Sequence, residues 1–360
     1  MRRTPHLKCY NENVVNGING DGKTEVKMAK TISLSELKPG DIILLHKPKG
    51  SKISFIIGLL THSKVSHTAM VDYNPAYFLE EGAHGASQGN LTSEKGRALY
   101  IRRLNTEPDT SKVCDIAWEY IKSGHPYPMS NLVFMGIYML TSDFIPNTLE
   151  GGIVKEILKL ATYELMRLFN WKQQPDTKFP PMVCSQFAAF CYDQAALNYG
   201  PEYKIHYKDS INTEFTLLQK ILDQLGGASD KVYALEAPEE KMLLRAEDMT
   251  AAAEEYCGQL IEQMQQKHLL TAPSEVSDSV IAALYQYGRE FLKLFAGKEY
   301  PDKDHATADE IKEVLSGLLQ FQEAFITPGD LLSNTENLMD MGELVYTEAE
   351  LAKYMNTNAD

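Results

Sequence analysis

The chain has 360 residues, 44% of them hydrophobic and 23% charged, with a formal net charge of −14. That composition belongs to a folded globular chain and excludes wholesale disorder, a collagen-like repeat and a disulfide-stapled miniprotein. The charge is uneven: Lys231 to Asp360 carries about −15 and the first 230 residues about +1, so the acidity lies in the last third and no dense basic stripe serves nucleic acid.

The first 30 residues are polar, carry Asn-Gly at Asn16-Gly17 and Asn19-Gly20, and hold no periodicity, so they read as a flexible leader. Met1 to Lys8 starts basic but meets no apolar run, and the expectation is a soluble chain without a signal peptide, cytoplasmic or exported by a specialised secretion system. After the turn Leu37-Lys38-Pro39-Gly40-Asp41, the β-branched run Ile42 to Leu45 predicts a buried strand. Lys47, Lys49 and Lys52 form the densest basic group and read as a solvated loop. A short helix is expected over Ser54 to Leu60, then an alternating strand from His67 to Tyr73, a returning strand from Ala76 to Gly82 after Asn74-Pro75, and another from Ala98 to Arg102.

Helices follow. Apolar spacing of three and four predicts them at Ser111 to Ser123, Met129 to Leu140, Ile153 to Trp171 and Val183 to Leu197, the last directly after Pro180-Pro181. The apolar run Leu132 to Leu140 is about half of what spans a bilayer, so no transmembrane segment is expected. Beyond about residue 230 the pattern turns to helices alone, over Leu243 to His268, Ser274 to Ala296 and Thr307 to Phe325, with a boundary placed between Gly226 and Glu240. The expected architecture is α+β over residues 31–230, with a small antiparallel sheet and a helical insertion at about 141–181, followed by an acidic all-α module over 231–360 that is a candidate surface for a protein partner.

Five cysteines, Cys9, Cys114, Cys184, Cys191 and Cys257, are too scattered and of the wrong parity for a disulfide framework, and no CxxC pair suggests zinc. Cys184 stands apart because it opens a helix, where unpaired N–H groups and the helix dipole favour a thiolate. His67 lies on an inward strand face, and Glu80 or Glu81 on the neighbouring strand could orient its ring. Taken singly, Cys184 fits a packing role in its apolar stripe, His67 a structural role, and the two glutamates a solvent-facing hairpin edge. Strand periodicity admits only one glutamate on the inner side and does not say which.

Together these residues fall in a familiar order. Leu37 to Ile43, Ser66-His67-Thr68-Ala69-Met70-Val71, Glu80-Glu81-Gly82-Ala83-His84-Gly85, Gly124-His125-Pro126-Tyr127 and Val183-Cys184-Ser185-Gln186-Phe187 resemble the circularly permuted papain-like amidases of the NlpC superfamily, nearest to the YiiX-type branch. The lecithin retinol acyltransferase-like enzymes share the order of histidine first and cysteine last. The resemblance covers about residues 33–200. It implies a cysteine hydrolase acting through an acyl-enzyme on an amide, ester or thioester, with Cys184 as nucleophile, His67 as base and Glu81, preferred to Glu80 because small Gly82 follows it, as the orienting acid. It further implies Tyr127 as a second oxyanion donor beside the Cys184 N–H, a peptide, lipid or acyl substrate, and neither cofactor nor metal. Ala69 where glycine is usual, Gln186 where glutamate is common and Pro128 where aspartate often stands depart from the pattern without removing a reacting group. An acyltransferase of the same fold and an inactive scaffold whose helices bind a partner are the alternatives.

Overall fold

The computed structural model describes residues 16–18, 24–26, 30–61, 63–82, 85–123, 133, 135–136, 139, 152–172, 182–208, 217–227, 231–236, 246–267, 275–319 and 326–356. Its strands are β1 (Asn16–Ile18), β2 (Thr24–Val26), β3 (Thr31–Ser33), β4 (Ile42–His46), β5 (Val65–Val71), β6 (Tyr77–Gly82), β7 (Gly85–Asn90), β8 (Leu99–Leu104), β9 (Val232–Ala234), β10 (His305–Thr307) and β11 (Leu338–Val345). Its helices are α1 (Lys52–Leu60), α2 (Ser111–Lys122), α3 (Gly152–Lys172), α4 (Cys184–Tyr199), α5 (Leu217–Gly226), α6 (Ala246–Lys267), α7 (Asp278–Ala296), α8 (Ala308–Leu319), α9 (Pro328–Ser333) and α10 (Glu348–Asn356).

The architecture is mixed α and β around a seven-stranded sheet in the order β3-β11-β8-β4-β5-β6-β7. Neighbours run antiparallel except β11 with β3, which are parallel. Alternation along the strands divides the sheet cleanly. Ile42, Leu44, Met70, Leu79 and Leu104 face α2 and α4, whose Val113, Ala117, Tyr120, Phe187, Ala188 and Cys191 cover them. Ile43, Leu45, Ala69, Val71, Phe78 and Ile101 face the other way, covered by Leu34, Leu37 and Leu351. A separate apolar core joins α1, α3, α5, α6, α7 and α8, and among the described residues no helix is long and apolar enough to cross a membrane.

The turn before β4 is held from several sides. Gly40 takes φ +84, and a Cβ there would sit 2.7 Å from the Thr110 carbonyl oxygen, so the left-handed turn at close quarters needs glycine. Asp41 behind it receives two hydrogen bonds of 2.6 Å from buried Arg103. Tyr192 of α4 donates to the Gly40 carbonyl at 2.7 Å, which ties the cysteine-bearing helix to that turn.

Two expectations are corrected. The leader is not wholly irregular, since β1 and β2 pair as an antiparallel ladder. Helices alone do not continue beyond residue 230: β9 pairs with β10, and β11 enters the main sheet between β3 and β8, making that sheet mixed rather than small and antiparallel. β11 hides from a period-two reading because its register shifts between Asp340 and Gly342. The bulge sends Leu338 to the helix-covered face and Leu344 to the other, although they lie an even six positions apart. Gly342 sits at φ +104 with the Lys30 carbonyl only 2.3 Å from where a Cβ would stand. The last third therefore completes the sheet, and helix α3 from the expected insertion shares one core with α6 and α7.

Candidate active site

Three elements bring the chemistry together. Strand β5 presents His67, β6 presents Glu80, and α4 begins with Cys184, which follows extended Val183 at φ −99, ψ 172. Phe187, Ala188 and Cys191 of α4 pack on the sheet near α2, fixing the helix so that its first residue reaches the β5–β6 seam.

The seam opens there. Pairing between β5 and β6 runs Val71↔Phe78, Met70↔Leu79 and Ala69↔Glu80, and then ends. One residue further, the Thr68 main-chain N–H donates to Cys184 Sγ, and the Ser185 N–H in the first turn of α4 does the same. His67 completes the ring around the sulfur with a side-chain hydrogen bond to it. The opposite ring position meets Glu80: Nε2 and Oε2 lie 2.5 Å apart, with the two side chains 19% and 22% exposed. With Nε2 engaged by Glu80, Nδ1 is the nitrogen left to face the sulfur.

The electrostatics follow from these contacts. Burial alone pushes the His67 pKa down, but the Cys184 charge and hydrogen bond, with those of Glu80, outweigh it and raise it to about 10. Burial likewise pushes the Cys184 thiol up, yet the imidazolium and the Thr68 and Ser185 N–H groups outweigh it and hold the thiol below its ordinary value. The pair shares one proton as a coupled unit, and the arrangement favours thiolate with imidazolium. The other described cysteines differ: burial pushes the Cys114, Cys191 and Cys257 thiols up, and although Lys52 acts against it at Cys257, burial and the Glu254 charge still push that thiol up to about 12.

The sequence-stated candidates separate as follows. Cys184, His67 and Glu80 converge. Glu81, preferred as the orienting acid, does not hold His67, because the Ala69↔Glu80 register puts Glu80 on the His67 face and turns Glu81 to the other. Tyr127 and its Gly124-to-Tyr127 turn lie outside the described residues, as do Pro180 and Pro181. The Thr68 main-chain donor is not visible in the sequence without the β5–β6 register, while the Ser185 donor follows from a helix starting at Cys184.

The chain matches no family model and none of the curated proteins with which it was compared.

Proposed function

We propose that this chain is a cysteine-dependent hydrolase with a circularly permuted papain-like core, acting on an amide, ester or thioester through an acyl-enzyme. The observation that carries the reading is the hydrogen-bonded series Cys184, His67 and Glu80 at the start of a helix and the open end of a strand pair. Their chain order, histidine strand, acid strand, then cysteine helix, is that of the permuted papain-like enzymes.

In this mechanism the Cys184 thiolate attacks the substrate carbonyl carbon, forming the S–C bond as charge moves to oxygen. The Cys184 N–H, in the first turn of α4, is placed to receive that charge with the helix dipole behind it. The His67 imidazolium gives its proton to the departing amine, alcohol or thiol as the carbonyl re-forms and that bond breaks. Neutral His67 then takes a proton from water, which attacks the thioester and frees Cys184. Glu80 holds the ring orientation and stabilises its cationic form throughout.

Intact-mass analysis of the full chain, treated with short acyl thioesters and activated peptide esters, tests the reading. One acyl adduct is expected on Cys184 in the wild type, none in Cys184→Ala, and a trace in His67→Ala. Labelling that survives Cys184→Ala overturns it.

A further inference from the structure

Behind the nucleophile lies a second set of buried polar groups for which the proposed mechanism has no use. Glu81 is 4% exposed, and its Oε2 has no hydrogen-bond partner among the described residues. Ser66 and Thr68 are 3% and 0% exposed, and their hydroxyls are likewise unpartnered. Alternation along β5 places both hydroxyls on the face opposite His67, and continuing the β5–β6 register sets Glu81 across from Thr68. That same Thr68 gives its N–H to Cys184 Sγ.

The titratable groups facing Glu81 come from three elements: Cys184 from α4, Tyr120 from α2 and Glu80 from its own strand. Each is anionic when ionised, and none supplies a cation. A buried carboxylate with no cationic partner and one oxygen left unbonded is costly, so the neutral acid is the form the fold accommodates. The direction agrees: burial first, then the charges of Cys184 and Glu80, raise the Glu81 pKa to about 8.

We propose that Glu81 is a positioning residue that acts as a charge gate on the nucleophile: as the neutral acid it leaves the Cys184–His67 ion pair intact, and as the carboxylate it returns the His67 proton to the sulfur. The inference rests on the ion-pair reading above. Ionisation releases the Glu81 proton to solvent and sets a negative charge behind the sulfur, on the side of the sheet away from the imidazolium. Thiolate with imidazolium and thiol with imidazole carry the same net charge, so a charge nearer the sulfur selects the second pair. One proton moves from ring nitrogen to sulfur, and no other bond changes. Neither the Ser66 nor the Thr68 hydroxyl bonds to the acid, so its charge is uncompensated when the proton departs.

The rate of iodoacetamide alkylation at Cys184, followed by peptide mass in the full chain from pH 5 to 9.5, gives the test. An ordinary cysteine reacts faster as pH rises through about 8 to 9. Cys184 is expected to show a level rate from mildly acidic to neutral pH and then a several-fold fall as pH passes about 8. In Glu81→Gln the level rate is expected to continue past pH 9, and Glu81→Asp, which restores an acid, is expected to bring the fall back. A wild-type rate that stays level or rises through pH 8, or a fall that survives Glu81→Gln, overturns the gate. Loss of the level region at neutral pH overturns the ion-pair reading itself and the gate with it.

Discussion

The sheet half of this molecule buries an apolar cluster on each face of the sheet and the helical half buries one, and the two halves place different polar groups inside them. Under the sheet and its covering helices lie Asp41, Ser66, Thr68, Asp72, Glu81, Arg103, Thr110 and Ser185. Within the helical core, Glu164 and Arg289 are the buried charged side chains among the described residues, and neither gathers a nucleophile or histidine beside it. Buried polar groups destabilise unless partnered, so their concentration on one side marks where the fold tolerates cost for chemistry. The helical half then supplies support: α3, α6, α7 and α8 pack with α1, directly ahead of the histidine strand.

The cysteines divide the two halves most sharply. Cys184 has an imidazolium and two main-chain donors around its sulfur, whereas Cys257, on α6, lies 3.7 Å from the Met135 sulfur and has no such partner. At pH 6 Cys184 is expected to alkylate at least about 100-fold faster than Cys257, because only the thiolate reacts. Peptide mapping after brief iodoacetamide exposure measures both rates at once. Equal rates would erase the distinction between a reactive half and a supporting one.

Stability separates the halves next. Asp41 and Arg103 are 1% and 8% exposed as side chains and form a two-pronged pair, so Arg103→Met leaves a buried carboxylate and is expected to cost about 3–5 kcal/mol in urea unfolding. The comparable pair in the helical half joins Arg289 to fully exposed Asp302 at 3.3 Å. Asp302→Asn is expected to cost about 0–1 kcal/mol, the range for a pair open to solvent on one side. A reversed order would mean that the turn before β4 is not the anchor the geometry makes it.

How much of this was legible in the sequence follows the same division. Ile42 to Leu45, the alternation at His67 to Tyr73 and the helix opening at Cys184 announce themselves through apolar spacing, and the structure has β4, α4 and a β5 that starts at Val65 and ends at Val71, before Asp72 and Tyr73. The choice between Glu80 and Glu81 was not legible, because a strand's period fixes that adjacent residues face opposite ways but not which way each faces. That needs the cross-strand register, a long-range fact. β7 is Gly-Ala-Ser-Gln-Gly-Asn, with almost no apolar side chain, and is held as a strand by its ladder to β6. In β11 the bulge at Asp340 to Gly342 breaks the alternation that would have revealed it.

Glu81 and Glu80 then offer a comparison within a single dipeptide. In an unfolded chain Glu81 ionises near 4.3, but in the fold it keeps its proton to about 8. Between those values the folded chain binds a proton that the unfolded chain has released, so stability falls as pH rises through the window and levels off above it. Glu81→Gln removes that dependence and is expected to flatten the urea midpoint between pH 5 and 8, with a gain on the order of a few kcal/mol at pH 8. Denaturant titrations at several pH values measure it. An unchanged slope would place Glu81 in contact with solvent, and the gate would lose its basis.

A small expected effect tests how the last third reaches the nucleophile. Ser185 is fully buried, and its Oγ donates to the Ile326 carbonyl at 2.6 Å, just ahead of the Thr327 cap of α9. Ser185→Ala leaves that carbonyl without its donor and is expected to cost about 1 kcal/mol. It should leave alkylation of Cys184 unchanged, because the Ser185 group that faces the sulfur is the main-chain N–H, which alanine keeps. The two readouts separate two roles within one residue. A change in Cys184 reactivity with no loss of stability would mean that the hydroxyl acts on the sulfur directly, and the bond to Ile326 would then hold the C-terminal segment without supporting the site.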